Sequence, residues 1–287
     1  MNAGGVVNRQ DQTRLAEAFR QMHRTPPLLL LPNAWDAMSA RIFEAAGFGA
    51  IATTSGGVAW ALGYPDGQKA PWHEVVAATE RIVRAVRVPV TADIEGGYGD
   101  TPDQVAQSIK EIIRAGAVGI NLEDGTSQPD LPVRTMQDAV ERIRAAREAA
   151  RGEGVPLVIN GRIDLYLKHI GDDAWRFEET VRRAKAYMAA GADCIFPFGL
   201  ADLKIVADLV GAVKAPINIV GRAGMPGVRH LEKLGVARVS TASGPSLAVM
   251  SLVRQVAEQL RDTGEFNMLA SAIKRPDAQQ LFAPRPD

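Results

Sequence analysis

Pro89-Val90-Thr91-Ala92-Asp93-Ile94-Glu95-Gly96-Gly97-Tyr98-Gly99 is the stretch whose reading decides the fold. A proline opens an apolar β-type run, the run ends in two carboxylates at i and i+2, and a glycine-rich turn follows. Proline can begin a strand, where its missing N–H need not break a ladder. The same proline-led run recurs as Pro27-Leu-Leu-Leu-Leu, Pro156-Leu-Val-Ile-Asn and Pro216-Ile-Asn-Ile-Val. Between these lie runs that follow a helix ending at glycine: Ala46-Gly-Phe-Gly-Ala-Ile, Ala115-Gly-Ala-Val-Gly-Ile, Ala190-Gly-Ala-Asp-Cys-Ile and Leu234-Gly-Val-Ala-Arg-Val. Glycine just past a helix supplies the left-handed cap. The pattern has four quarters of roughly 60 residues, two βα units in each.

The intervening segments carry helical spacing. Val105, Ile109, Ile112 and Ile113 recur at i, i+4, i+7 and i+8, and Met38, Ile42 and Ala45 do the same in the first connecting helix. Eight βα units predict a closed (β/α)8 TIM barrel of parallel strands, an α/β fold, rather than an open doubly wound sheet. No G-x-G-x-x-G follows the first run, which weakens a dinucleotide-binding alternative. One domain is expected over 1–287, with the barrel at about 26–262. An extra amphipathic helix is expected over 10–24. Residues 264–287, with three prolines, read as a loosely structured tail or a subunit-contact arm.

The chain is 46% hydrophobic and 23% charged, a profile that fits a soluble globular protein. Lys plus Arg and Asp plus Glu both number 33, which argues against a nucleic-acid or anionic-membrane partner. The one cysteine, Cys194, excludes an internal disulfide and fits a reducing compartment. There is no signal-peptide pattern and no run long enough to span a membrane, so a cytoplasmic location is expected. His23, His73 and His230 fall in helical segments and read as surface residues.

Active sites of this barrel class lie at the C-terminal strand ends. Residues two apart on a strand share a face, so Asp93 and Glu95 should project together. Glu123, ending the next run, would converge on them, with Arg162 one strand further. Like charges so close call for a cation between them, and an all-oxygen set suits Mg²⁺ or Mn²⁺. Without histidine or cysteine at those strand ends, zinc does not fit. Arg162 could grip a substrate carboxylate in bidentate fashion. Ser55 with the N–H groups of Gly56 and Gly57 could hold another anionic oxygen. Asn218 ends the seventh run among the same candidates. The plainer alternatives are that Glu123 and Asp124 cap a loop, that Arg162 balances Asp164 or Glu123, and that Asp66 is a turn residue in Tyr64-Pro-Asp-Gly.

Ser55-Gly-Gly, Gly63-Tyr-Pro-Asp66, Asp93-x-Glu95-x-Gly-Tyr98-Gly, Leu122-Glu-Asp124 and Gly161-Arg-x-Asp164, in that order, resemble the isocitrate lyase/phosphoenolpyruvate mutase superfamily. The resemblance implies a barrel whose eighth helix is exchanged between subunits of a homodimer or homotetramer. It also implies Mg²⁺ and a 2-oxo- or 2-hydroxy-acid substrate. Asp93, Glu95 and Glu123 match the metal-site acids, some acting through water. Arg162, Ser55 and Gly56 match groups holding the substrate carboxylate, and Asp66 matches an aspartate near metal and substrate. The departures bear on the reaction. Related lyases resemble one another in a Lys-x-Cys-Gly-His loop, whereas Asp124-Gly-Thr-Ser-Gln-Pro-Asp-Leu-Pro-Val-Arg134 is short and lacks cysteine and histidine. Phe198 stands where those lyases have a glutamate, and the mutase's phosphoryl-holding Lys and Asn are not evident.

The expected function is a Mg²⁺-dependent lyase or decarboxylase acting on a small 2-oxo or 2-hydroxy di- or tricarboxylic acid through a pyruvate-type enolate. Tyr98, Asp66 or a water would manage the proton. The alternatives are phosphonomutase or phosphonopyruvate-hydrolase chemistry, and metal and oxo-acid binding without turnover.

Overall fold

The computed structural model describes residues 8–283 and shows the expected barrel. The chain runs α1 (Arg9–Met22), β1 (Leu29–Leu31), β2 (Asn33–Ala34), α2 (Ala37–Ala45), β3 (Ile51–Thr53), α3 (Ser55–Leu62), α4 (Trp72–Ala85), β4 (Val90–Asp93), α5 (Pro102–Arg114) and β5 (Gly119–Glu123). It continues through α6 (Met136–Gly152), β6 (Val158–Ile163), α7 (Asp173–Ala190), β7 (Cys194–Pro197), α8 (Leu203–Val213), β8 (Asn218–Val220), α9 (Val228–Lys233), β9 (Arg238–Ser240) and α10 (Gly244–Thr263). A 3₁₀ turn (Asn267–Leu269) and α11 (Arg275–Phe282) close it.

All strand pairs are parallel, in the orders β2-β3-β4-β5-β6-β7 and β1-β9-β8. An Ile195–Ile217 bridge joins β7 to β8. On the other side β1 and β2 form one barrel strand broken at Pro32. Proline has no N–H to give the ladder, yet its carbonyl still accepts from Ala52 N at 2.9 Å. The ring therefore closes with eight strand positions.

The stripe Val105, Ile109, Ile112 and Ile113 is fully buried against the strands. Burying such a side chain contributes about 1.5–3 kcal/mol. The stripe Met38–Ile42 behaves differently. Ser39, Ala40 and Arg41 face inward on α2, while Met38 and Ile42 are exposed. The periodicity was right for a helix but did not say which neighbour covers it. On α10 Ser246 is the one buried residue; Leu247, Met250, Leu252, Val253 and Leu260 are exposed.

Two further expectations change. The segment after residue 264 is folded rather than loose, since α11 docks on α2, where Arg41 Nε donates to Leu281 O at 2.7 Å; residues 284–287 lie outside the described residues. His23 is buried at the N-terminal end of the barrel. There α1 sets the Phe19 ring against the Gly119 backbone, and Gln12 Nε2 donates to Ile113 O (2.7 Å) and Ala117 O (3.0 Å). Burial first, and then the Arg238 charge, lowers the His23 pKa to about 3.

A depressed histidine stabilises the fold fully above its unfolded pKa near 6.5, and that contribution is lost as pH falls towards the folded value. Acidification from about pH 6.5 to 3 should therefore cost on the order of 4 kcal/mol at this residue. His23→Gln should flatten the stability profile over that range in chemical denaturation. An unchanged slope would refute the assignment.

Candidate active site at the C-terminal barrel mouth

β4 ends at Asp93, so Glu95 does not reach the site by strand alternation. The chain turns: Glu95 (φ 51°), Gly97 (φ 93°) and Tyr98 (φ 51°) all take left-handed backbone. For a non-glycine residue this costs of order 1–3 kcal/mol and persists where the surroundings over-determine it. Here Glu95 Oε1 accepts from Gln68 N (2.9 Å) and Tyr98 Oη (3.1 Å), and Tyr98 N donates to Gln68 Oε1 (2.8 Å). The carboxylate is thus re-aimed by a turn. Gln68, itself at φ 58°, was not foreseen, and no motif marks it beyond the Pro65-Asp-Gly67 turn beside it.

Asp93 is fixed by its backbone, whose N–H donates to Thr53 Oγ1 at 2.8 Å. Its Oδ1 accepts from Glu95 N (3.3 Å) and its Oδ2 from Ser55 N (3.5 Å). Ser55, Gly56 and Gly57 form the first turn of α3, whose N-cap Thr54 makes no side-chain cap. Ser55 N is taken by Asp93, and the N–H groups of Gly56 and Gly57 are the uncapped helix end expected to hold an anion. Gly56 lies beside Asp66, whose Oδ2 would stand 3.1 Å from a Cβ placed there. Gly57 serves packing, because a Cβ would meet Thr54 Cγ2 at 2.6 Å and Trp35 Cβ at 2.9 Å.

Glu123 on β5 is in register with Arg162 on β6. Arg162 donates from Nε and Nη2 to Asp164 Oδ1 (2.6 Å) and Oδ2 (3.0 Å). The Phe198 ring lies 3.9 Å from its Cζ, edge-on to Phe196. Glu123 Oε2 is 2.7 Å from Arg162 Nη1 but off the N–H direction, so this buried oxygen accepts no hydrogen bond. Arg162 therefore both balances its neighbours and keeps N–H groups for a further carboxylate. Burial opposes its charge, but Glu123 and Asp164 outweigh burial and raise its pKa.

Burial, above all, raises the pKa of Asp93 and Glu123 and brings Glu95 up to about 7; the charges of Asp93 and then Asp66 add to the shift at Glu95. The structure thus gathers Asp66, Asp93, Glu95, Glu123 and Arg162 into one electrostatic cluster. It does not bring Asn218 to the mouth. Asn218 is fully buried at the first residue of β8, exchanging hydrogen bonds with Ser240 (3.2 and 3.3 Å). Tyr98 is in the cluster, but burial and Glu95 raise its pKa and its hydroxyl is committed to Glu95. It orients that carboxylate.

Behind the mouth, Asp124 Oδ1 accepts from Asp164 N (2.9 Å), and its Oδ2 accepts from Arg183 Nη1 (2.9 Å) and Tyr187 Oη (2.6 Å). This anchors both the Asp164 side of Arg162 and the loop at 125–134. Gly125 is packed so tightly that a Cβ would overlap the Asp164 carboxylate. Gly125→Ala should therefore displace Asp164, cost about 1–3 kcal/mol as overpacking does, and lower kcat more than tenfold. Thermal unfolding and steady-state kinetics check this; wild-type kinetics would show that Asp164 does not set Arg162.

Among the described residues no three His, Cys, Asp or Glu side chains close into a ready-made metal cage. The donor set nonetheless fits a hard cation. Mg²⁺ is usually held through one or two carboxylates and keeps several waters, and Glu123 offers a buried oxygen without a hydrogen bond.

An acid-rich mouth on a closed parallel barrel, with Arg162 set among the acids, places the chain among the α/β-barrel enzymes. The sequence pattern of the phosphoenolpyruvate phosphomutase family matches residues 19–261, and the chain belongs to that family, within the isocitrate lyase/phosphoenolpyruvate mutase superfamily. It is similar to 2-methylisocitrate lyase of Escherichia coli K12, 30% identical over 247 residues, covering 83% of this chain and 80% of that one. A Burkholderia cenocepacia J2315 structure described as a lyase/mutase is 37% identical with a TM-score of 0.89, covering 96% of this chain and 98% of that one. Oxaloacetate acetylhydrolase in complex with its product oxalate is 25% identical with a TM-score of 0.83, covering 93% of each chain. The chain is an enzyme of this lyase and phosphonomutase group. No helix among the described residues is long and apolar enough to cross a membrane.

Proposed function

We propose that this protein is a Mg²⁺-dependent carbon–carbon lyase or decarboxylase for a small 2-oxo or 2-hydroxy di- or tricarboxylic acid. The observation that carries this is the convergence of Asp93, Glu95 and Glu123 beside Arg162, with Glu123 Oε2 buried and without a hydrogen bond. Asp93, Glu95 and Glu123 would hold the ion, directly or through water, and the ion would supply Lewis-acid stabilisation to the oxygen of a developing enolate. Arg162 binds the substrate carboxylate along its open edge, since Phe198 covers a face of the guanidinium. The uncapped N–H groups of Gly56 and Gly57 take a second carboxylate oxygen. Gln68 and Tyr98 keep Glu95 aimed at the site. Asp66, the exposed acid at the rim, is the group placed to exchange a proton with solvent.

The test is incubation with Mg²⁺ and, separately, oxaloacetate, methylisocitrate and phosphonopyruvate. Release of pyruvate from either of the first two supports the reading. Release of phosphate and pyruvate from phosphonopyruvate alone would establish the phosphonopyruvate-hydrolase alternative, and its conversion to phosphoenolpyruvate without free phosphate would establish the phosphonomutase alternative. Binding of Mg²⁺ and oxalate with no turnover across a broad oxo-acid panel would establish a binding protein.

The same reading includes a homo-oligomer with exchange of α10. Leu247, Met250 and Val253 on α10, with Met38 and Ile42 on α2, leave apolar surface that a second copy would cover. Met250→Asp should reduce the molar mass seen by light scattering to that of one chain; a wild-type protein already monomeric would end this part of the proposal.

A further inference from the structure

Arg238 opens β9 inside the barrel and is fully buried. No carboxylate touches it among the described residues. Its Nη2 lies 3.3 Å from Asn121 Oδ1, its Nη1 lies 3.4 Å from His23 Nε2, and its Nε has no partner. His23 Nδ1 is 2.8 Å from Phe19 O, so the ring is a neutral acceptor and offsets none of the charge. Barrel interiors of this fold are usually filled by branched apolar residues. A lone buried cation is therefore costly to keep unless its field is used.

Its place suggests where that field acts. Asn121 also accepts from Asn160 Nδ2 (2.8 Å). Asn121 and Asn160 stand two residues before Glu123 and Arg162 on neighbouring strands, and Asn121 is in register with Asp93. Two residues along a strand keep the same face and advance about 7 Å. The guanidinium thus sits one interior layer beneath Glu123 and Arg162, at the register level of Asp93. Its pKa is lowered to about 10, burial being the main cause, so it stays charged at neutral pH; Cys194 and Asp93 are the groups that act back on it.

We propose that Arg238 is a positioning residue acting through its field: a fixed cation under the mouth that weakens divalent-metal binding and strengthens binding of the anionic substrate. This rests on the metal and oxo-acid reading above. Arg238 touches neither ligand.

The experiment measures Mn²⁺ affinity, and then oxalate affinity at saturating Mn²⁺, by calorimetry on the full chain. Arg238→Met should tighten Mn²⁺ and weaken oxalate, each by about tenfold for a unit charge at this depth. Arg238→Lys should keep both near wild type. If Arg238→Met does not fold, Asn121→Asp neutralises the same cation in place and should give the same opposed shifts. A purely structural role would weaken both ligands together, and that result overturns the proposal. If the wild-type protein binds neither Mn²⁺ nor oxalate, the metal reading fails, and the assignment of Arg238 fails with it. If the wild type binds both and the variants shift them in the same direction, only the assignment of Arg238 fails.

Discussion

Arg162→Lys is expected to lower kcat/KM by at least about a thousandfold while the protein stays folded. The guanidinium makes three contacts that demand a plane: two parallel bonds to Asp164, the 2.7 Å approach of Glu123, and the Phe198 ring at 3.9 Å. An ammonium keeps the charge that balances Glu123 and Asp164 but has neither the fork nor the flat face, so the edge offered to a carboxylate disappears. Arg162→Met goes further. It leaves two buried carboxylates without a cation, for which about 3–5 kcal/mol of destabilisation is the usual scale. The two variants separate roles. If lysine restores both stability and turnover, Arg162 is a counter-charge and another group holds the substrate.

Asp93→Asn should abolish tight divalent-metal binding and reduce turnover by a similar factor, with little loss of stability. Asparagine is nearly isosteric and can still accept from either Ser55 N or Glu95 N. It also removes one of several like charges in a cluster where burial already disfavours ionisation. Losing the Asp93 charge should move the Glu95 pKa down from about 7, because that charge is the second cause of its elevation after burial. Mn²⁺ titration, steady-state kinetics and thermal unfolding on one preparation give the three readings. A variant that keeps wild-type metal affinity would place the ion elsewhere.

The barrel was legible because its punctuation is local. A proline before a strand, a glycine after a helix and the stripe Val105–Ile113 each leave a mark within a few residues. Glu123 and Arg162 were legible for the same reason, since the strand end set their level. Glu95 was chosen by a wrong route: the i, i+2 rule put it beside Asp93, but the strand stops at Asp93 and a left-handed turn does the aiming. Gln68, Arg183 and Tyr187 were not foreseen, because their roles come from packing between segments distant in sequence. Asn218 and His23 erred in opposite senses, one assigned to the mouth and one to the surface. Asn218 lies in the barrel interior and His23 at its N-terminal end, where the polar filling departs from the apolar rule. Met38 and Ile42 show a further limit, since spacing identifies an apolar face without saying what covers it.

The root of α10 has a consequence for how the enzyme behaves in the cuvette. Ser243 Oγ is 2.6 Å from Thr54 Oγ1, and Ser243 and Ser246 pack against Gly56 and Gly57, so the helix with the exposed apolar face is bolted to the turn that presents Ser55. If that face is covered only by another subunit, subunit dissociation loosens the turn as well. Specific activity should then follow mass action, constant in concentrated solution and falling on dilution, with substrate slowing the fall because it favours the assembled form.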